Sequence, residues 1–473
     1  MKVGFVIDWD VGISSLMVLA RNLFRELGTL MNEKKTFTVS AISKDFVGMG
    51  DINQHFDLIH FPNMGGYKFL DDKFLNAKNI IISPSGIDEI IYGEEVFSEK
   101  ARWKVTKPLI PKELSKWKKN INKIKAVQVA AKSELKEMNQ YLGIPLDMMS
   151  VVHHGIHHEM FTPSTDKIKT RNNILEEFEL EKGNYFIHIS EKNYVRKNMI
   201  RMLDAFKQAK EAGLKQNLYL LGREHPVVAK IFSKEGKSKK YPGVNLIGWL
   251  TQEHLIEFIR GSDALILPSI HEGFGLPLVE CMACGVPSIT SNRHAPPEVV
   301  GNSGILVDPY NVKEISNAII DLGKNEKLRS ELSNNALIRA KDFSWKNGAK
   351  SLLQMYEKAV PKSNSSDFEE DYDISNKRTL TTICELFITH PEFFSLTEHR
   401  IDDYTWLKTK KIYEETEEEK MMKKKYNLTL SLLNLDYPAM CQWALEFGLS
   451  YAPTKDFLLP LEGWLRNNSK NES

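Results

Sequence analysis

The stretch LPSIHEGFGLPLVECMACGVPSITS, residues 267–291, places two carboxylates, Glu272 and Glu280, on either side of a glycine–aromatic–glycine turn and a proline. An apolar run ends at Pro268, a loop carries Glu272 to Leu276, and Pro277 suits the start of a helix, where its missing N–H needs no partner. Gly273 and Gly275 let main-chain N–H groups approach an anion with no side chain between. The loop from Gly273 through Phe274 and Gly275 to Leu276, with the helix start behind it, therefore reads as a phosphate site. Glu280, in the first helical turn, is placed to accept hydrogen bonds from a vicinal diol such as ribose, at about 1.5–3 kcal/mol for each charge-assisted bond. Glu272 would face whatever hangs from the far end of a diphosphate.

Other phosphate loops fit poorly. A dinucleotide fingerprint wants a third glycine where Leu278 stands, and no Gly-Lys-Ser or Gly-Lys-Thr is present for a Walker loop. The four cysteines are Cys281, Cys284, Cys384 and Cys441, and only the first two are close. Without a second ligand pair or a thioredoxin-like context they read as packing residues, which suits a reducing compartment.

The elements that position this turn follow a rhythm of short apolar runs and amphipathic stretches. KVGFVID, FTVSAI, DLIHF, NIIISP, AVQVAA and MSVVHHG read as strands of a first unit, with SSLMVLARNLFREL as its first helix. The rhythm restarts with NYFIHIS, NLYLLG, VNLIGW, DALILPS, PSITS and GILVD after the polar connector TPSTDKIKTRNN. The expected fold class is α/β: two doubly wound, Rossmann-like units facing a cleft, plus a C-terminal helical extension. The expected boundaries are 1–163, 164–345, a closing helix at 346–360, a linker at 361–377 and a helical extension at 378–473. No chemistry is legible in that extension.

The chain of 473 residues carries 63 basic and 62 acidic side chains, so a global nucleic-acid footprint is excluded as an expectation. Charge is instead local: Arg102 to Lys125 holds nine basic residues and one acid, Glu113, interleaved with Trp103 and Trp117. That segment reads as a solvated helix face or as a peripheral contact with an anionic membrane. The N-terminal run, broken by Asp8 and Asp10, reads as a strand rather than a signal peptide, and no apolar window is long enough to span a bilayer. A cytoplasmic protein, peripheral at most, is expected.

The segment Gly248–Tyr310 closely resembles the retaining, two-domain glycosyltransferases of family 4, the GT-B fold, whose E-x7-E motif it carries as Glu272 and Glu280. VRKN at 195–198, PPEVVGNSGILVDP at 296–309 and FSW at 343–345 support the likeness, and it extends more faintly over residues 1–360. The RKN and EGFGLPLVE pieces are most similar to mannosyltransferase-like members using GDP-mannose. The resemblance implies a nucleotide-sugar donor, a glycan or lipid-linked acceptor, no cofactor and no metal. It makes Glu272, Lys197 and Arg196 catalytic, and gives Gly12, Lys192, Gly273, Phe274, Gly275, Leu276 and Glu280 to donor binding. Lys192 is an alternative to Arg196, because many members place an arginine five residues before the lysine. The family's His-Asp pair is incomplete: IIISPSGIDEII offers Asp88 but no histidine, leaving the role to Ser85, His60 or His154 if it is filled. Two further readings stay open: a degenerate scaffold acting through its tail, and a sugar-nucleotide epimerase.

Overall fold

The computed structural model describes residues 1–360 except 7–14, 35, 43–55, 66–67, 71, 98–99, 191–192, 223–225 and 234–235. Among the described residues, two six-stranded sheets with parallel strand pairs, joined by helices, form the framework. The first contains β1 (Lys2–Val6), β2 (Thr38–Ile42), β3 (Leu58–Gly65), β4 (Ile80–Ser85), β5 (Ile124–Val129) and β6 (Met149–Val151), in the order β2-β1-β3-β4-β5-β6. The second contains β7 (Tyr185–Ser190), β8 (Asn217–Gly222), β9 (Val244–Gly248), β10 (Ala264–Leu267), β11 (Ser288–Ser291) and β12 (Gly304–Val307), in the order β12-β11-β10-β7-β8-β9.

Parallel strands need helical crossovers, which cover both faces and force near-continuous apolar strands. β10 and β11 are accordingly buried along their whole lengths. In the second sheet the chain runs outward from β7 through β8 and β9, then returns to β10 on the other side. The order thus reverses between β7 and β10, and in open parallel sheets that switch point is where ligands are bound by the following loops. Those loops carry Arg196 and Lys197 on one side and Glu272 on the other.

The connector departs from its polar reading. The helix Lys167–Glu177 begins within it, capped by the Asp166 carboxylate accepting from Lys169 N at 2.9 Å. Its Arg171 is buried against Asp263 at 2.7 Å and donates to the Gly261 carbonyl, so a charged residue serves as an internal tie. The closing helix, Trp345–Ala359, crosses back to the first unit. Tyr356 there meets His60 Nδ1 at 2.5 Å, and His60 Nε2 meets Ser83 Oγ at 2.8 Å. A Cβ on Gly155 would lie 2.0 Å from Trp345 N, so only glycine permits this crossing. Cys281 and Cys284 are buried free thiols in the core. The expected linker and helical extension, with Cys384 and Cys441, lie outside the described residues.

Candidate active site

Glu272 sits at the reversal point, almost fully buried. Its Oε1 accepts from Lys197 Nζ at 2.6 Å and from Ser269 Oγ at 2.7 Å. Arg196 Nη1 stands 3.8 Å from Oε2, while Arg196 Nε stands 3.8 Å from Asp88 Oδ2 in the first unit. Burial alone would raise the Glu272 carboxyl, but the Lys197 and Arg196 charges and the bonds from Lys197 and Ser269 hold it down at about 2. The site therefore presents a fixed carboxylate with two cations drawn onto it.

Asn198 explains how the two loops stay together. It is left-handed, at φ 57°, and its amide donates to the carbonyls of Pro268 and Pro309. Arg196 O accepts from Ile270 N at 2.8 Å, a second tie between the same loops. Within the RKN triplet, Arg196 and Lys197 face Glu272 and Asn198 ties the loops together.

The helix Leu276–Ala283 starts from Gly275, left-handed at φ 90°, and no side chain caps it. A Cβ on Gly275 would lie 2.8 Å from Leu278 Cδ1, so both conformation and space select glycine. With its first amides uncapped, this end can receive an anion. Because the helix begins at Leu276 rather than Pro277, Glu280 is its fifth residue and lies in the second turn, not the first. Glu280 is half-buried. The Phe274 side chain is buried, its ring 4.7 Å from His154 and 5.6 Å from Phe343. It anchors the turn at the junction between units.

Gly12 and Lys192 lie outside the described residues, as do Asp8 and Asp10. His60 and His154 are packing residues, and burial holds both imidazoles down at about 3. The first unit contributes other groups that spacing could not reveal. Glu134, on the helix Lys132–Glu137, stands so close that a Cβ on Gly273 would lie 2.8 Å from its Oε1. Burial pushes this carboxyl up to about 7. Glu137 bonds His271 and His294, and the Tyr92 hydroxyl bonds His294. Glu137 and His271 are 134 positions apart in sequence, and only His271 had a signal, as the neighbour of Glu272.

Residues 170–339 match the family model described as glycosyl transferases group 1. The matched stretch contains Arg196, Lys197, Glu272 and Glu280. The chain is similar to the O-antigen chain mannosyltransferase B of Escherichia coli, at 29% identity over 184 residues, 39% of this chain and 48% of that protein. It is also similar to the MMP alpha-(1->4)-mannosyltransferase of Mycolicibacterium hassiacum, at 36% over 115 residues, 24% of this chain and 28% of that one. The chain thus spans less than half the length of these curated relatives. Among solved structures, sucrose-phosphate synthase of Thermosynechococcus elongatus superposes with TM-score 0.56 at 15% identity, covering 76% of this chain and 98% of its own. Anabaena HepE, solved with UDP and glucose, gives 0.54 at 14%, covering 76% and 99%. The fold is GT-B.

Proposed function

We propose that this chain is a retaining hexosyltransferase of family 4 that moves mannose from GDP-mannose to a glycan or lipid-linked acceptor. The observation that supports it best is the meeting of Lys197 and Arg196 with Glu272 beside an uncapped helix start, at the reversal point of the second sheet. The relatives' names support mannose as the sugar. In this reading residues 164–345 take the donor and 1–163 the acceptor, with 346–360 closing the core and 361–377 leading to an extension at 378–473. Gly12 and Lys192 belong to the donor contacts, with Gly273, Phe274, Gly275 and Leu276 around the diphosphate and Glu280 at the ribose.

Donor binding exchanges partners. The diphosphate settles on the amides at Gly275 and Leu276 and draws Lys197 and Arg196 from Glu272, whose oxygens then accept from sugar hydroxyls. The acceptor hydroxyl attacks the anomeric carbon on the face from which the diphosphate departs. The bond to phosphate breaks as the bond to the acceptor oxygen forms, and a departing phosphate oxygen takes the proton. The two cations neutralise charge as it grows on the leaving group. No metal or other cofactor enters this scheme.

The basic segment supports a lipid-linked acceptor at the cytoplasmic face of a membrane. Lys104, Lys107, Lys112, Lys118 and Lys119 are exposed, and so are the apolar Val105 and Leu109 among them. Trp117 is not part of that face, being fully buried on Phe69. Lysines around a small apolar tip suit an anionic bilayer surface.

Incubation with GDP-mannose, other GDP-sugars and UDP-sugars, with and without glycan or lipid extracts, tests the reading. Acceptor-dependent release of GDP and an anomeric configuration kept in the product are expected. Isomerisation without acceptor would indicate an epimerase, and failure to bind any sugar nucleotide would indicate a scaffold; either result defeats the proposal.

A further inference from the structure

A second group of titratable side chains meets at the junction of the two units. Glu137 closes the helix Lys132–Glu137, while His271 and His294 stand on the loops that follow β10 and β11. Glu137 Oε1 accepts from His294 Nδ1 at 2.6 Å, and its Oε2 accepts from His271 Nε2 at 3.1 Å. One ligand-type atom from each residue lies within 4.8 Å of the other two. The side chains are sheltered, at 12%, 14% and 1% exposed for Glu137, His294 and His271. His271 Nδ1 is buried with no hydrogen-bond partner.

Two imidazole nitrogens and one carboxylate are the donors preferred by zinc and its neighbours, whereas magnesium and calcium prefer oxygen alone. At zinc–ligand lengths of about 2.0–2.2 Å, tetrahedral ligand atoms stand about 3.4 Å apart. The contacts at 2.6 and 3.1 Å therefore need to open by less than about 1 Å to admit the ion. Tyr92 on the far nitrogen of His294 fixes which ring nitrogen faces inward, an outer bond that metal-binding histidines usually keep. Asp88 adds negative charge beside His271, and Arg196 opposes it.

We propose that Glu137, His271 and His294 form a binding site for a zinc-class divalent cation, which staples the first unit onto the loops bordering the donor turn. Water completes the coordination, and the ion replaces the imidazole protons now directed at Glu137. His271 precedes Glu272, and Ala295, next to His294, donates its N–H to the Glu272 carbonyl at 3.4 Å. The staple thus stiffens the backbone on both sides of Glu272 without entering the transfer chemistry. It stands whether or not that chemistry is glycosyl transfer.

The test is zinc titration of the full-length, chelator-stripped protein, followed by calorimetry and thermal melts. One equivalent and a raised melting temperature are expected, and cobalt in zinc's place should give the intense visible bands of a four-coordinate site. His294→Ala and Glu137→Gln should each weaken binding by at least roughly tenfold while circular dichroism stays native. No zinc uptake, or wild-type uptake in both variants, overturns the site. Uptake abolished instead by His157→Ala with His158→Ala assigns the metal to the histidine tract at 153–158 and also overturns it.

Discussion

Replacing Lys197 by Met removes the main charge facing a carboxylate that has almost no access to water. The Glu272 carboxyl sits at about 2 rather than 4.5, and one pH unit corresponds to about 1.4 kcal/mol, so its surroundings favour the ionised form by about 3 kcal/mol. A depressed carboxyl stabilises the fold fully above its unfolded value and loses that contribution as pH falls towards 2. Lys197 is the largest of the groups that hold the carboxyl down, with Arg196 and Ser269 beside it, and breaking a buried pair costs about 3–5 kcal/mol; at pH 7 Lys197→Met should cost about 3 kcal/mol, the low end, and Glu272→Gln, which strands the ammonium, a similar amount. The double variant leaves a neutral pair and should recover most of the loss. For a unit of this size that is a drop of roughly 6–12 °C in each single variant and a much smaller one in the double. Thermal melts of the four proteins at pH 7 measure the coupling. Additive losses, or single losses below about 1 kcal/mol, would refute the claim that these two charges hold each other in place. Transfer should be abolished in all three variants, because either group is needed once donor arrives.

Gly275→Ala should lower stability by about 1–2 kcal/mol through its left-handed backbone and the approach to Leu278, and should weaken nucleotide binding in a thermal-shift titration. Asp263→Ala leaves Arg171 buried and uncompensated, so about 3–5 kcal/mol should be lost in melts while donor affinity is retained. His60, His154 and His188 are held neutral by burial, at about 3, 3 and 4, so the unfolded chain takes up their protons first. Their contribution is complete above about pH 6.5 and falls as pH drops towards 4, by about 4 kcal/mol per pH unit for the three; a melting temperature unchanged between pH 7 and 5 would contradict this. Lys104→Glu with Lys107→Glu should weaken sedimentation with anionic vesicles and leave neutral vesicles unaffected.

The sheets were legible because parallel strands buried on both faces leave uninterrupted apolar runs, as in DALILPS and NLYLLG. The turn at Glu272 was legible because glycine, proline and acids at fixed spacing have few other uses. Glu280 moved from the fourth to the fifth helical position because Gly275 takes the left-handed conformation and the helix begins one residue early. The partners of the turn were not legible. Glu134, Glu137 and His294 reach it through tertiary contacts that leave no periodic trace, and the tie from Asn198 to Pro309 spans more than a hundred residues.

The return of the last helix onto the first sheet has a consequence for synthesis. Tyr356, the hydroxyl partner of His60, is made almost three hundred residues later. While the ribosome builds the second sheet, the first already holds a polar imidazole with one of its bonding partners still to come. The bond between His60 and Tyr356 therefore forms only after the helix that ends near residue 359 has emerged.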